Sequence, residues 1–361
     1  MIVTQSSIQS LDSIGWDKYW ESLFLKYKGP YIPGRVCTVH KSRYEAIIPG
    51  GSLSLPVSGA LKTKKQFPVV GDFVVILHQP ELATDMIVAI LPRKTSLSRG
   101  DAGESGGEQH LAANIDTAFI VTDPEKDLNI ARIERYLLIV RSAKAEPVIV
   151  LNKSDTCADI TAVLDMIRTQ TGDIPTVVVS AINKTGLDNL NPYLGRGKTI
   201  VFLGSSGVGK STLINVLSGE ELQKTGGIRE DDGRGRHTTT VRHLIALPDG
   251  TSLIDTPGLR EIRIWTAQES ISETFEDIHE YSRHCKFSDC THNQEPGCAV
   301  RKAMEEGKLH AERLDRYHKI LKEVAFEHEK ATIGLKRFEK KRYKEISKTI
   351  KEIFDNGKQK S

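Results

Sequence analysis

Thr199-Ile200-Val201-Phe202-Leu203, running into Gly204-Ser205-Ser206-Gly207-Val208-Gly209-Lys210-Ser211-Thr212, is an apolar β-branched run that breaks into a glycine-spaced loop ending in a lysine and two hydroxyls. The run has the length of a buried strand, and an apolar helical pattern resumes from Ser211 to about Ser218. A loop of this kind must curl until successive backbone N–H groups converge on an anion, and Gly204 and Gly209 supply the conformational freedom. Ser205, Ser206, Gly207 and Val208 complete the cradle. Lys210 is placed to reach the β- and γ-phosphates of a nucleotide. Ser211, with Thr212 beside it, sits where a helix N-terminus favours negative charge, and its hydroxyl is a ligand for Mg²⁺.

Two further stretches serve the same ligand. Upstream, Asn152-Lys153-Ser154-Asp155 follows the apolar strand Pro147–Leu151. The Asp155 carboxylate can accept from both the ring N–H and the exocyclic amine of guanine, whereas adenine would face it with a lone pair. Asn152 would tie this loop to the phosphate loop, the Lys153 stem would cover the base, and the backbone of Ser180-Ala181, after the next strand, suits the guanine oxygen. Downstream, Asp255-Thr256-Pro257-Gly258 follows Leu253-Ile254. Asp255 is expected to hold Mg²⁺, and Gly258 to offer its N–H to the γ-phosphate from a segment that switches on hydrolysis. Between them lies Gly235-Arg236-His237-Thr238-Thr239-Thr240, where a first switch would supply a threonine to the metal; Thr239 is favoured and Thr238 is second. The base-reading tetrapeptide thus precedes the phosphate loop, the reverse of the usual order. The sequence therefore reads as a circularly permuted P-loop GTPase domain whose end is tethered to its moving switch.

Strand and helix patterns alternate from Ile115 to Leu203, as a parallel sheet covered by helices requires. Before it, Arg35–His40, Tyr44–Ile48, Ser52–Val57, Val69–Leu77 and Met86–Leu91 read as five short strands, which suits an OB-type barrel. Lys62, Lys64 and Lys65 fall in a loop that would suit an oligonucleotide face or plain solvent equally. Trp16, Trp20 and Phe24 share one face of a helix expected within residues 11–28, and the glycine-rich stretch 98–113 reads as a polar linker. The expected organisation is a helical extension (1–29), an all-β OB-type domain (30–95), the permuted GTPase domain (96–264), a mainly helical zinc-binding domain (265–325) and a basic tail (326–361).

Cys285, Cys290, His292 and Cys298 form C-x₄-C-x-H-x₅-C, a four-ligand set with no open position, hence structural Zn²⁺, one per chain; His284 is a possible substitute ligand. The chain has 361 residues, 39% hydrophobic and 27% charged, which excludes global disorder. No apolar run reaches membrane-spanning length and no secretory signal is visible, so a cytoplasmic monomer without a membrane partner is expected. The net charge of +3 says little by itself, but basic residues outnumber acidic ones from 331 onward, where Phe338, Tyr343 and Ile346 are interleaved.

With the motif order, the Cys/His set and Gly235–Thr240 in view, the chain resembles the RsgA/YjeQ family of ribosome small-subunit-dependent GTPases over roughly residues 30–325. The resemblance implies an OB domain that contacts ribosomal RNA, GTP bound and hydrolysed to GDP with Mg²⁺, stimulation by the small ribosomal subunit, and a late role in that subunit's maturation. It also favours His237 as the group that positions the attacking water, since Leu259 occupies the place where a water-orienting Gln would stand. The alternative reading is a nucleotide-gated RNA-binding module in which hydrolysis is incidental. An ATP-dependent RNA enzyme is disfavoured by Asp155.

Overall fold

A computed structural model describes residues 11–79, 81, 84–100, 108–222, 242–255 and 268–333. Two compact units divide the chain: Met1–Leu97 with His110–Glu261 and Glu269–Thr274, and Ser98–Gln109 with Ile262–Gln268 and Phe275–Ser361.

The first unit contains a mainly parallel sheet, the one the sequence assigns to the nucleotide. Its strands, in chain order, are β8 (Thr117–Thr122), β9 (Glu146–Leu151), β10 (Thr176–Val178), β11 (Thr199–Leu203), β12 (His243–Ala246) and β13 (Ser252–Asp255). In space the order is β10-β9-β8-β11-β13-β12, parallel except for β12. β8 and β11 are buried along their whole lengths, because helices cover both faces of such a sheet; this is why their sequences show no alternation. Phe119, Val148, Val150, Ile200, Phe202, Leu213 and Leu253 make one core. The helices α3 (Ile130–Ser142), α4 (Ile160–Thr171) and α5 (Lys210–Ser218) follow β8, β9 and β11. Asn129 and Asp159 cap the first two by accepting from Arg132 and Ala162 backbone N–H groups.

The same unit holds the smaller strand set. β1 (Tyr31–Val39) pairs antiparallel with β2 (Tyr44–Ile48) and with β4 (Phe73–Leu77); β2 pairs with β3 (Gly51–Leu55), and β4 with β5 (Met86–Ile90). The ring closes by a parallel bridge between Val57 and Ile87, in which Ser58 N–H donates to Ile87 O at 2.9 Å and Ile87 N–H to Pro56 O at 3.0 Å. Val36, Ala46, Leu55, Val74, Ile76 and Ile87 fill it. β1 shifts register around Cys37, and at Thr38 it pairs with His243 of β12, so the strands of ring and nucleotide sheet are continuous.

Local departures from the sequence reading have physical causes. The helix expected within 11–28 is two pieces, a 3-10 turn Leu11–Ile14 and α1 (Lys18–Phe24), because Gly15 turns left-handed and Asp17 caps the second by accepting from Tyr19 and Trp20 N–H groups. Its aromatics do pack inward: Trp20 is buried, with its ring 4.7 Å from that of Phe73. The expected strand Val69–Leu77 begins only at Phe73, since Asp72 Oδ2 accepts from Val69 N–H and folds the preceding residues into a turn. The lysine loop contains a short helix, α2 (Gly59–Thr63), that exposes Lys62; Lys64 and Lys65 follow it, also exposed. The stretch 98–113 is not only linker. β6 (Ser96–Gly100) and β7 (Glu108–Ala113) pair with one another, and Leu97 and Leu111 are buried.

Around the Cys/His set the second unit is helical: α7 (Glu276–Ser282), α8 (Ala299–Glu305) and α9 (Ala311–Ile333), while α6 (Gln268–Thr274) precedes it in sequence. Arg313 grips Asp277 with both ends of its fork (3.0 and 2.9 Å) and lies over the Phe275 ring at 4.4 Å, joining α9 to α7. The basic residues Lys336 to Lys360 lie outside the described residues.

Candidate nucleotide site and metal centre

The loops after β9, β10 and β11 gather at the carboxyl ends of neighbouring parallel strands, where open α/β sheets bind ligands. Asn152, 1% exposed, is the brace between them. Its Nδ2 donates to Val208 O at 2.9 Å, and its Oδ1 accepts from Ala181 N–H at 3.0 Å. One amide thus joins the base loop, the Ser180-Ala181 loop and the phosphate loop. Lys153 takes a left-handed backbone (φ 64°), and its ammonium donates to Gly207 O at 2.7 Å. The Ser180 hydroxyl donates to the Asp155 carboxylate while accepting from Asn183 N–H at 3.2 Å, so Ser180 contributes its side chain as well as the backbone that the sequence singles out.

The phosphate loop shows why its glycines are required. A Cβ on Gly204 (φ 142°) would lie 2.3 Å from Val121 O, and one on Gly209 (φ 93°) would lie 2.2 Å from Asn152 Nδ2. Both approaches are closer than atoms allow, so these two positions let the loop pass under β8 and beside the base loop. Lys210 opens α5 and donates from Nζ to Gly204 O (2.8 Å) and to Ser205 O. Ser211 and Thr212 follow in the first turn of that helix, half-buried, and Ser206 stands exposed in the loop. Asp255 is the last residue of β13, paired across the strands with His243. Gly235, Arg236, His237, Thr238, Thr239, Thr240, Gly258 and Leu259 lie outside the described residues.

Two acidic groups that no motif flagged belong to this end of the sheet. Asp123, 1% exposed at the end of β8, accepts from Glu125 and Lys126 N–H groups (3.0 and 2.9 Å) and from Lys153 Nζ at 3.1 Å. Burial pushes its carboxyl up, but these hydrogen bonds and the lysine charge outweigh it and hold the group below its ordinary range. Asp123 and the Gly207 carbonyl therefore hold the Lys153 ammonium between them. Asp127 meets Ser205 and Arg132. The signal in the sequence was Thr122-Asp123-Pro124 at the end of an apolar strand, the place where such ligands bind, with no motif to name it.

In the second unit, the ligand atoms of Cys285, Cys290, His292 and Cys298 all lie within 4.8 Å of one another. Cys285 and Cys298 sulfurs are 4.0 Å apart, and His292 Nδ1 is 3.7 Å from the first and 3.5 Å from the second. A tetrahedral ion with metal–sulfur bonds of about 2.3 Å sets sulfurs roughly 3.8 Å apart, so the residues present fit a four-coordinate metal. His284 is not in the group. Burial, then the neighbouring thiols, pushes the Cys290 thiol up to about 11, a repulsion that a bound cation relieves. The backbone N–H groups of Ala299 and Val300, at the start of α8, hydrogen-bond Cys285; burial raises that thiol's pKa, and the hydrogen bonds more than offset it. Between the ligands, Glu295 ties the loop by accepting from Thr291, Asn293 and Gln294 N–H groups.

Comparison with known proteins agrees with this geometry. The RsgA GTPase family model matches residues 90–265. An ABC transporter model also matches residues 187–349, a span that contains the phosphate loop but not Asn152–Asp155. The chain is 52% identical to the small ribosomal subunit biogenesis GTPase RsgA of Methanosarcina acetivorans, over 93% of this chain and 91% of that protein. It is 41% identical to the protein of the same name from Opitutus terrae, over 93% and 96%. Among solved structures it is similar to YjeQ from Thermotoga maritima (TM-score 0.61, 27% identity, 82% of this chain and 99% of that one) and to YloQ, described as a circularly permuted GTPase (0.59, 26%, 82% and 95%). Loop geometry, permuted strand order and relatives converge: the chain belongs to the RsgA family of circularly permuted GTPases.

Proposed function

We propose that this GTPase acts in biogenesis of the small ribosomal subunit, binding GTP–Mg²⁺ at the loops after β9, β10 and β11 and at the end of β13, and hydrolysing it when docked on that particle. The observation that carries the reading is Asn152, which binds the base loop to the phosphate loop across 56 residues of sequence and so makes one guanine site from motifs in permuted order. The names of the relatives supply the particle.

In this reading Asp155 selects guanine, Ala181 and Ser180 line the base, Lys210 meets the β- and γ-phosphates, and Ser211, Thr239 and Asp255 hold Mg²⁺. Gly258 contacts the γ-phosphate and His237 positions the water. The ring of β1 to β5 is an OB-type barrel: its pairing order 1-2-3-5-4, with the step from 3 to 5 made by the Val57–Ile87 bridge just past β3 and the return to 1 by the β4–β1 pairing, suits the five-stranded Greek key that binds oligonucleotides. That barrel and the helical Cys₃His domain face ribosomal RNA. The metal is Zn²⁺, since three thiolates and an imidazole at these separations suit it. Functional segments follow the boundaries 30–95, 96–264 and 265–325, in a monomeric cytoplasmic protein whose helices include none long and apolar enough to cross a membrane among the described residues.

The test is GTP turnover with and without purified small subunits, for the wild-type chain and for His237→Ala. Wild-type turnover should rise on adding subunits, and His237→Ala should keep GTP affinity while losing tenfold or more of the stimulated rate, the scale of an acid–base group. No stimulation of the wild type would contradict the reading; stimulated turnover of His237→Ala within about twofold of wild type would remove His237 from it.

A further inference from the structure

One set of charged groups lies against the phosphate loop without belonging to any nucleotide motif. Arg132, near the start of α3, brings Nη1 to Asp127 Oδ1 at 2.5 Å and to Ser205 Oγ at 2.8 Å. The Ser205 hydroxyl donates to the other oxygen of the same carboxylate. Thr122 Oγ1 donates to Asp127 O at 2.9 Å, and Asn129 Oδ1 accepts from Arg132 N–H at 3.0 Å, so both members of the ion pair are anchored by the β8–α3 connection. Neither is fully exposed: Arg132 is 36% and Asp127 26% exposed at the side chain.

Ser205 is thereby held at both of its polar ends. Its hydroxyl is fixed by Asp127 and Arg132, and its carbonyl accepts from Lys210 Nζ alongside that of Gly204. The path runs from α3 through one serine to the ammonium that must meet the phosphates. Charge matters as much as geometry, because Asp127 is a carboxylate set beside a loop built to receive a polyanion. Unpaired, it would repel the phosphates across a partly buried, weakly screened distance.

We infer that Arg132 and Asp127 are positioning residues of the phosphate loop: together they orient Ser205 and through it Lys210, and Arg132 cancels a carboxylate that would otherwise oppose nucleotide binding. The inference rests on the assignment of Gly204–Ser211 to the phosphates proposed above. GTP should feel the pair more than GDP, since it brings one more phosphate.

The experiment measures equilibrium affinity of the full-length chain for fluorescent GTP and GDP analogues. Arg132→Ala, which leaves Asp127 unneutralised, should weaken GTP binding about tenfold and GDP binding less. The double variant Asp127→Asn/Arg132→Ala should recover to within about threefold of wild type, because the repulsion is gone and Asn still accepts from Ser205. A residue that merely supported the fold would show no such recovery. Arg132→Ala binding GTP within about twofold of wild type, or a double variant no tighter than the single, would overturn the inference. Lys210→Ala run in parallel separates the two levels. Loss of binding there upholds the phosphate-loop assignment, so that the Arg132 variants alone decide the inference, whereas retained binding would overturn that assignment and the inference with it.

Discussion

A single buried amide makes two separated motifs act as one. Asn152 spends both ends of its side chain on loops, Val208 on one side and Ala181 on the other, and Gly209 leaves just the space that this amide occupies. Gly209→Ala would drive a methyl to 2.2 Å from Asn152 Nδ2 in a backbone conformation that L residues avoid. Tenfold or greater loss of GTP affinity with the metal content intact is the expected result, and titration with labelled GTP beside metal analysis checks it. In the second unit, hydrogen bonds from the Thr291 hydroxyl, then from Glu295's own N–H and from the Thr291 and Asn293 N–H groups, lower Glu295 to about 2 from an ordinary value of 4.5. A depressed carboxyl contributes stability above its unfolded pKa and loses it as pH falls through the folded one. The difference in thermal midpoint between wild type and Glu295→Gln should therefore be full near neutrality and shrink from about pH 4.5 toward pH 2. A difference that stays constant over that range would show that the charge contributes nothing to it. The proposed roles of Asp155, Lys210 and Cys298 could be drawn from the sequence because the chemistry names its own spacing. Those of Asp123, Asp127 and Arg132 could not, because their partners lie 30, 78 and 73 residues away.

At the scale of the element, the strands of the parallel sheet were readable as continuous apolar runs, and their ends fell within a residue or two of the expected places. Departures arise where a short-range hydrogen bond competes with periodicity. Asp17 begins a helix inside what looked like one, Asp72 shortens β4, and glycines in 98–113 masked a hairpin whose buried residues include Leu97 and Leu111. The Cys₃His loop is an element whose four side chains could hold a metal ion. Its thiols are free of disulfides and sit close enough to repel when ionised, so folding of this unit should be linked to metal occupancy. About one zinc per chain is expected by metal analysis, lost when Cys290 or Cys298 becomes Ala. Full zinc in both variants would refute the ligand set.

Across the whole molecule, the permutation is a matter of where the chain starts on a fixed sheet. The spatial order β12-β13-β11-β8-β9-β10 places phosphate loop and base loop as a GTPase requires, while the chain begins that sheet at β8 instead of β11. The order of motifs in sequence revealed this. The segment of β1 to β5 was expected as a five-stranded barrel; what was not legible is the contact that closes it, one parallel bridge between Val57 and Ile87, since no local pattern encodes a bridge across 30 residues. Nor could sequence show that β1 extends the nucleotide sheet through Thr38 and His243, whose side chains meet at 3.2 Å. The proposed function has the guanine site, built from motifs in permuted order, hydrolyse GTP on the small subunit. Asp155→Asn should reverse base choice there, because a carbonyl replaces the exocyclic amine in xanthine and calls for a donor. The decisive measurement is nucleotide turnover by the Asp155→Asn chain in the presence of purified small subunits, with GTP and with xanthosine triphosphate in separate reactions. Stimulated hydrolysis of xanthosine triphosphate and little of GTP is the expected outcome; stimulated GTP hydrolysis at the wild-type rate would contradict a guanine site read by Asp155.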